Sequence, residues 1–225
     1  MIELFPLTML GALLGLDVVS FPQAMISRPI VSATLAGALA GAPGRGVIAG
    51  AVLELFALET LPFGASRYPE WGSAGVVGGA IFALHPDGTT GALAVAVLAS
   101  LLTAVVSGWS MIQHRRAIGR WAAGMRDALA SGEQGAVATL QLRGMTMDLL
   151  RGGLVTFAAL ALFVPLSRVV LSVWSLAPAP SRAVVVALAG ATALGAVWKI
   201  VHATAGARWY LLGGFLLGLS LLGIT

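Results

Sequence analysis

The sequence predicts an all-α, polytopic membrane helical bundle containing re-entrant or broken helical hairpins. Three observations carry that prediction. Only 10% of the 225 residues are charged, 58% are hydrophobic, and mean hydropathy is +0.95. A water-soluble domain carries about 25% charged residues, so lipid must cover most of this surface. Several apolar runs are too short to cross a bilayer yet contain or border ionisable residues, which points to helices inserted within a bundle.

Six to eight apolar stretches are visible along the chain. The first runs from about Leu4 to Phe21 and ends near Pro22. It has an acidic flank at Glu3 and no basic leader or good cleavage site, so it reads as a retained membrane element. The second, Ile30 to Gly41, lies between Arg28-Pro29 and Ala42-Pro43-Gly44-Arg45. At about 12 residues it falls short of the ~20 that a straight span requires. The third, Gly46 to Leu61, holds Glu54 in its middle. Two short limbs around a Pro-Gly turn predict a re-entrant hairpin over residues 30–62, of the kind transporters place near substrate.

A polar connector follows, Ala65 to Trp71, then a glycine-rich limb from Gly72 to Leu84. His85-Pro86-Asp87-Gly88 has turn composition. Thr89 to Met111 is long enough to span. The one substantial hydrophilic segment, residues 113–145, carries Arg115, Arg116, Arg120, Arg126 and Arg143 against Asp127 and Glu133. Ile118, Trp121, Met125 and Leu129 recur about one helical turn apart, which predicts an amphipathic helix on the membrane surface or the bundle. The arginines place this segment in the cytoplasm. Three further spans are expected: Leu149 to Leu176 with a kink at Pro165, Ala183 to Thr204, and Trp209 to Ile224. The linker Ala177 to Ser181 then lies outside. No soluble domain boundary interrupts residues 1–225, so the chain reads as one membrane-embedded domain.

Glycine is abundant, at 29 residues, with small-xxx-small spacing at Gly37/Gly41, Gly46/Gly50, Gly75/Gly79 and Gly214/Gly218. Such spacing allows helix backbones to approach closely in lipid. Net charge is +4, and all but one of the 13 basic residues are arginine. They sit between apolar runs and lack the aromatic interleaving that stacks on bases, so topology explains them and a nucleic-acid partner is not expected. Cysteine is absent, which excludes disulfides, thiolate metal sites and thiol nucleophiles.

A charge at a helix centre in the membrane costs roughly 2.5–3.5 kcal/mol on insertion scales, so each intramembrane charge needs a reason. Glu54 has the strongest functional case, because a carboxylate there accepts hydrogen bonds from sugar hydroxyls; an internal ion pair or a helix cap is its structural alternative. Glu59 lies near its limb's end and reads as structural. Asp17 reads equally as a substrate ligand or as a cap for the next helix. Gln23 offers both donor and acceptor, as sugar hydroxyls require, and equally suits a solvated loop. Arg28 either neutralises Glu54 or Asp17 or reaches a headgroup. Lys199 and His202 mark the end of a span near headgroups. His85 and His114 fall in or beside loops with no second ligand spaced for a metal, so neither a metal site nor a cofactor is expected. No Walker motif, nucleophile elbow or HExxH is present. No catalytic residue is identified, and the chain alone is not expected to be an enzyme.

Gly15-Leu16-Asp17, Ile26-Ser27-Arg28-Pro29-Ile30-Val31, Gly37, Gly41 and Gly46-Val47-Ile48-Ala49-Gly50-Ala51-Val52-Leu53-Glu54-Leu55 occur in an order and spacing that resembles one family. It is the membrane IIC subunit of the mannose/fructose/sorbose class of bacterial phosphotransferase systems. The overlap is strongest over residues 11–70 and weaker at Met147-Asp148-Leu149-Leu150-Arg151 and from Trp209 to Gly218. The resemblance implies a sugar permease subunit in the bacterial cytoplasmic membrane that pairs with a IID membrane subunit and oligomerises. It also implies cytoplasmic IIA and IIB subunits that relay phosphate to the incoming hexose, while IIC stays unphosphorylated. Carried over by position, Glu54, Asp17 and Arg28 match the family's membrane glutamate, its aspartate and its Arg-Pro pair; Gln23 matches with variable spacing. Two departures stand out: Gly41-Ala42 replaces the usual Gly-Asp at the hairpin turn, and Pro62-Phe63-Gly64-Ala65 lacks an asparagine that some members carry. These leave room for a non-transporting regulatory or scaffold relative. An ion-coupled carrier using Glu54 and Glu59 is the other alternative reading.

Overall fold

The computed structural model describes residues 4–18, 20–59, 69–86, 89–202 and 204–222, and the described residues form helices joined by turns and loops. In chain order these are α1 (Leu4–Asp17), α2 (Pro29–Leu39), α3 (Pro43–Glu59), α4 (Trp71–Leu84), α5 (Ala92–Gly124), α6 (Arg126–Ala130), α7 (Gln134–Ser172), α8 (Pro178–Val201) and α9 (Ala207–Leu222). Three of them, α5, α7 and α8, are long and apolar enough to cross a membrane. The connector from Ala65 to Tyr68, the Pro62–Ala65 departure, Asp87-Gly88 of the expected turn and the Glu59 side chain lie outside what is described.

The centre of the bundle is α4. Its sequence, WGSAGVVGGAIFAL, has no charge and no polar face. A helix apolar all round is stable only when buried all round, and Ala74, Val76, Val77, Ala80 and Ile81 are fully buried. They pack with Leu7 and Leu14 of α1, Ala36 of α2, Ala96 and Ala99 of α5 and Leu160 of α7. At 14 residues, or about 21 Å, α4 is shorter than the ~30 Å hydrocarbon core. Both ends are satisfied within the protein, the N-terminal one fully buried, with Glu70 1% exposed. At the N-terminus Glu70 accepts from the amides of Gly72 and Ser73. At the C-terminus Arg45 of α3 donates to the carbonyls of Phe82, His85 and Pro86, where a cation also suits the helix dipole.

Against α4 lies the hairpin of α2 and α3, turned at Gly41 with φ +81°. Glycine sets the spacing of its limbs. A Cβ on Gly46 would stand 2.4 Å from the Ala33 carbonyl oxygen, and one on Gly50 would stand 2.9 Å from the Ile30 Cα. The limbs therefore pack backbone on backbone. The same device joins α1 to α7, where a Cβ on Gly15 would stand 2.8 Å from the Gly152 Cα.

The hydrophilic segment differs from its expected form. Instead of one amphipathic helix on the membrane surface or the bundle, residues 113–145 make the end of α5, the short α6 and the start of α7. With 33 and 39 residues, α5 and α7 measure about 50 and 58 Å. Each outruns the ~30 Å apolar core by 20 Å or more, so their paired ends form an arm carrying the arginines. The apolar spacing seen in the sequence reflects helix pairing within that arm: Gly144 of α7 sits against Ile118 of α5. Helix α7 also continues through Pro165 unbroken.

Candidate functional site

Helix α1 stops at Asp17, well before the Phe21 boundary expected from hydropathy. The Asp17 carboxylate, 2% exposed, turns the chain: one oxygen accepts from the Ala24 amide at 2.7 Å, the other from the Ser27 amide at 2.9 Å. Ser20 to Arg28 thus form a loop cinched by Asp17. Asp17 ties down the loop before α2, its bonds going to loop amides and not to the first turn of that helix. Within the loop, Gln23 and Met25 take φ of +58° and +61°, a region non-glycine residues seldom occupy and one that recurs at functional sites. Gln23 is exposed.

The loop delivers Arg28 to the N-terminus of α2. Its guanidinium forms an ion pair with Glu54 on α3, and the second Glu54 oxygen accepts from the Ile30 amide at 3.1 Å. Arg28 itself supplies no side-chain cap to α2; the neighbouring limb provides the acceptor. Gly50, one turn before Glu54, permits this by letting α3 close on Pro29 and Ile30. The pair is only partly covered, with 35% of the Arg28 side chain and 23% of Glu54 accessible. A buried pair has exhausted its partners; this one retains lone pairs and N–H groups that face outward.

Of the residues singled out in the sequence, Glu54 and Arg28 touch directly. Asp17 holds the loop that carries Gln23 and leads into Arg28. Lys199 and His202 stand apart, at the end of α8, where His202 contacts the Trp198 and Lys199 carbonyls. Among the described residues no His/Asp/Glu group could hold a metal ion.

A second polar cluster was not foreseen. His114, expected beside a loop, lies within α5 with a side chain only 9% accessible. Its Nε2 is 3.4 Å from Asp148 Oδ1 on α7, and Arg151 Nε is 3.6 Å from the same oxygen. Asp148 Oδ2 accepts from the Ser20 hydroxyl of the loop. Arg151 also donates to Ser107 Oγ at 3.1 Å, and Ser107 donates to Glu70, the cap of α4. The Asp148 to Arg151 spacing of one helical turn was readable in the sequence. That both face inward toward α5 was not, because α7 is apolar on several sides.

These features define an α-helical membrane bundle with a short two-limbed hairpin and a partly open ion pair at a helix end. The family model of the PTS system sorbose-specific IIC component matches residues 1–176. The chain belongs to that family, as the IIC membrane permease component of a phosphotransferase system. No curated protein matches it in sequence. Among solved structures, one described as "Structure of membrane protein" is similar with TM-score 0.72 and 17% identity, covering 100% of this chain and 92% of that one. A cryo-EM structure of the mannose transporter ManYZ with microcin E492 is similar with TM-score 0.62 and 17% identity, covering 100% and 87%. At these identities the likeness concerns the fold.

Proposed function

We propose that this chain carries a hexose across the bacterial cytoplasmic membrane and that the Arg28–Glu54 pair is its sugar-recognition element. The observation that carries the reading is the pair itself: an ion pair at the mouth of a membrane hairpin, left about one-third and one-quarter accessible. Sugar hydroxyls both donate and accept. The Glu54 carboxylate accepts from one hydroxyl while the Arg28 guanidinium donates to the next. Gln23, on the same loop, adds an amide with both capacities. Asp17 acts through the loop, fixing Gln23 and Arg28 in place. Translocation is alternating access, with the α2–α3 hairpin moving against the rest of the bundle.

The chain provides the path and not the phosphoryl chemistry. A IID membrane subunit completes the path, as the two-part name of the ManYZ transporter supports. Cytoplasmic IIA and IIB subunits pass the phosphoryl group from a histidine nitrogen to a sugar hydroxyl, which gives up its proton. The arginine-bearing arm faces these subunits, and the complex oligomerises. Membranes containing this chain and the products of neighbouring genes, given labelled hexoses and amino sugars with and without the phosphoryl relay, test this. Relay-dependent accumulation of one sugar phosphate is expected. A folded, partnered complex that accumulates none would overturn the transport reading in favour of a scaffold role.

A further inference from the structure

Asp148 is 2% exposed, and its two oxygens divide their work. Oδ1 faces His114 Nε2 and Arg151 Nε at 3.4 and 3.6 Å, ion-pair distances rather than hydrogen bonds. Oδ2 faces out of that cluster and takes the hydroxyl of Ser20. Arg151 is held in turn by Ser107 and by the Gly15 carbonyl at 3.5 Å. The Gly15–Gly152 contact brings the end of α1 onto α7, which carries Ser20, just past Asp17, to Asp148, one turn before Gly152. A buried carboxylate persists only if it is paired, because leaving it uncompensated costs several kcal/mol.

We propose that Asp148 is a positioning residue for sugar binding: it anchors the Ser20 to Arg28 loop through Ser20, so that the loop presents Gln23 and Arg28 in one conformation. His114 and Arg151, both beside Oδ1, hold the carboxylate oriented for that task. The loop has two carboxylate anchors, Asp17 on its backbone amides and Asp148 on its side chain. The second comes from α7 at the level where α5 and α7 leave the bundle for the arm, so loop position follows the root of the arm. This rests on the sugar-binding reading of the loop.

Uptake kinetics of Ser20→Ala and Ser20→Thr in the assembled transporter test it, together with amide exchange at Ala24 and Ser27. Losing a hydrogen bond to a carboxylate is expected to raise KM by about tenfold in Ser20→Ala, with the maximal rate retained. Ser20→Thr keeps the hydroxyl and restores KM. Exchange at Ala24 and Ser27 accelerates in Ser20→Ala alone. Asp148→Asn, which retains an acceptor but strips the charge from between His114 and Arg151, raises KM less than Ser20→Ala if it folds. An unchanged KM in Ser20→Ala, or a threonine variant that behaves like alanine, overturns the proposal. Should the wild type move no sugar, the transport reading fails by itself, and unchanged exchange in Ser20→Ala then overturns the anchoring.

Discussion

Arg28 and Glu54 meet across the mouth of the α2–α3 hairpin, and the Glu54 carboxylate accepts the Ile30 amide in the same motion. One carboxylate thus caps a short helix and pairs an arginine while leaving part of its surface open. The first duty secures the hairpin, and the second is the one proposed for sugar recognition.

Replacing Arg28 separates charge from geometry. Arg28→Lys keeps the cation but loses the planar fork that bridges a carboxylate and a hydroxyl. Sugar affinity is expected to fall about tenfold, with the purified protein melting near the wild-type temperature; an unaltered KM would show that the fork is unused.

Gly50 lets the hairpin close. Gly50→Ala places a methyl 2.9 Å from both the Ile30 Cα and the Pro29 carbonyl oxygen, which are backbone atoms that cannot step aside. Overpacking of this kind costs about 1–3 kcal/mol. The melting temperature in detergent should drop, whereas Gly213→Ala, whose Cβ meets nothing within 4 Å, should leave it unchanged.

Asp17 and its loop provide a local test. Asp17→Ala leaves the Ala24 and Ser27 amides without their acceptor, two bonds to a carboxylate worth about 1.5–3 kcal/mol each at most, and less for the exposed Ala24. Amide exchange across residues 20–28 should speed up strongly while α4 stays protected. Equal loosening of α4 would mean that Asp17 supports the whole bundle and not the loop.

The capping of α4 is tested at Glu70. Glu70→Ala removes the acceptor of two helix amides and of Ser107. A loss of about 0.5–2 kcal/mol is expected from the cap alone, and more because the site is buried. Glu70→Gln, which keeps an acceptor oxygen, should recover much of it in a thermal unfolding experiment.

The sequence exposed much of this architecture for a physical reason. Apolar runs too short to span and broken by Pro and Gly have few outcomes in lipid, so the limbs α2 and α3 and the location of Glu54 were readable. The pairing of Glu54 with Arg28 was one of several alternatives for each residue, and the close approach of the limbs at Gly50 brings the two together. Asp17 was open between ligand and cap because the φ values at Gln23 and Met25, which let the loop double back on it, leave no trace in residue type. The arm was read as one helix, on the membrane surface or on the bundle, since the same apolar spacing serves a helix lying on lipid and a helix paired with its neighbour, and the break at Met125 was not readable. The Asp148 cluster was hidden for a related reason. His114 and Arg151 stand beside a run of arginines that topology already explained, and only the crossing of α5 and α7 turns them inward.

The most direct test of the central claim compares wild type with Glu54→Gln in membranes that hold the partner subunits and the phosphoryl relay. Glutamine preserves an acceptor for Ile30, so the hairpin should stay folded. Relay-dependent accumulation of labelled sugar phosphate is predicted in the wild type, with KM raised by roughly tenfold or more in Glu54→Gln as a charge-assisted hydrogen bond is lost. Wild-type KM and rate in the glutamine variant would contradict the account and leave Glu54 as a helix cap alone.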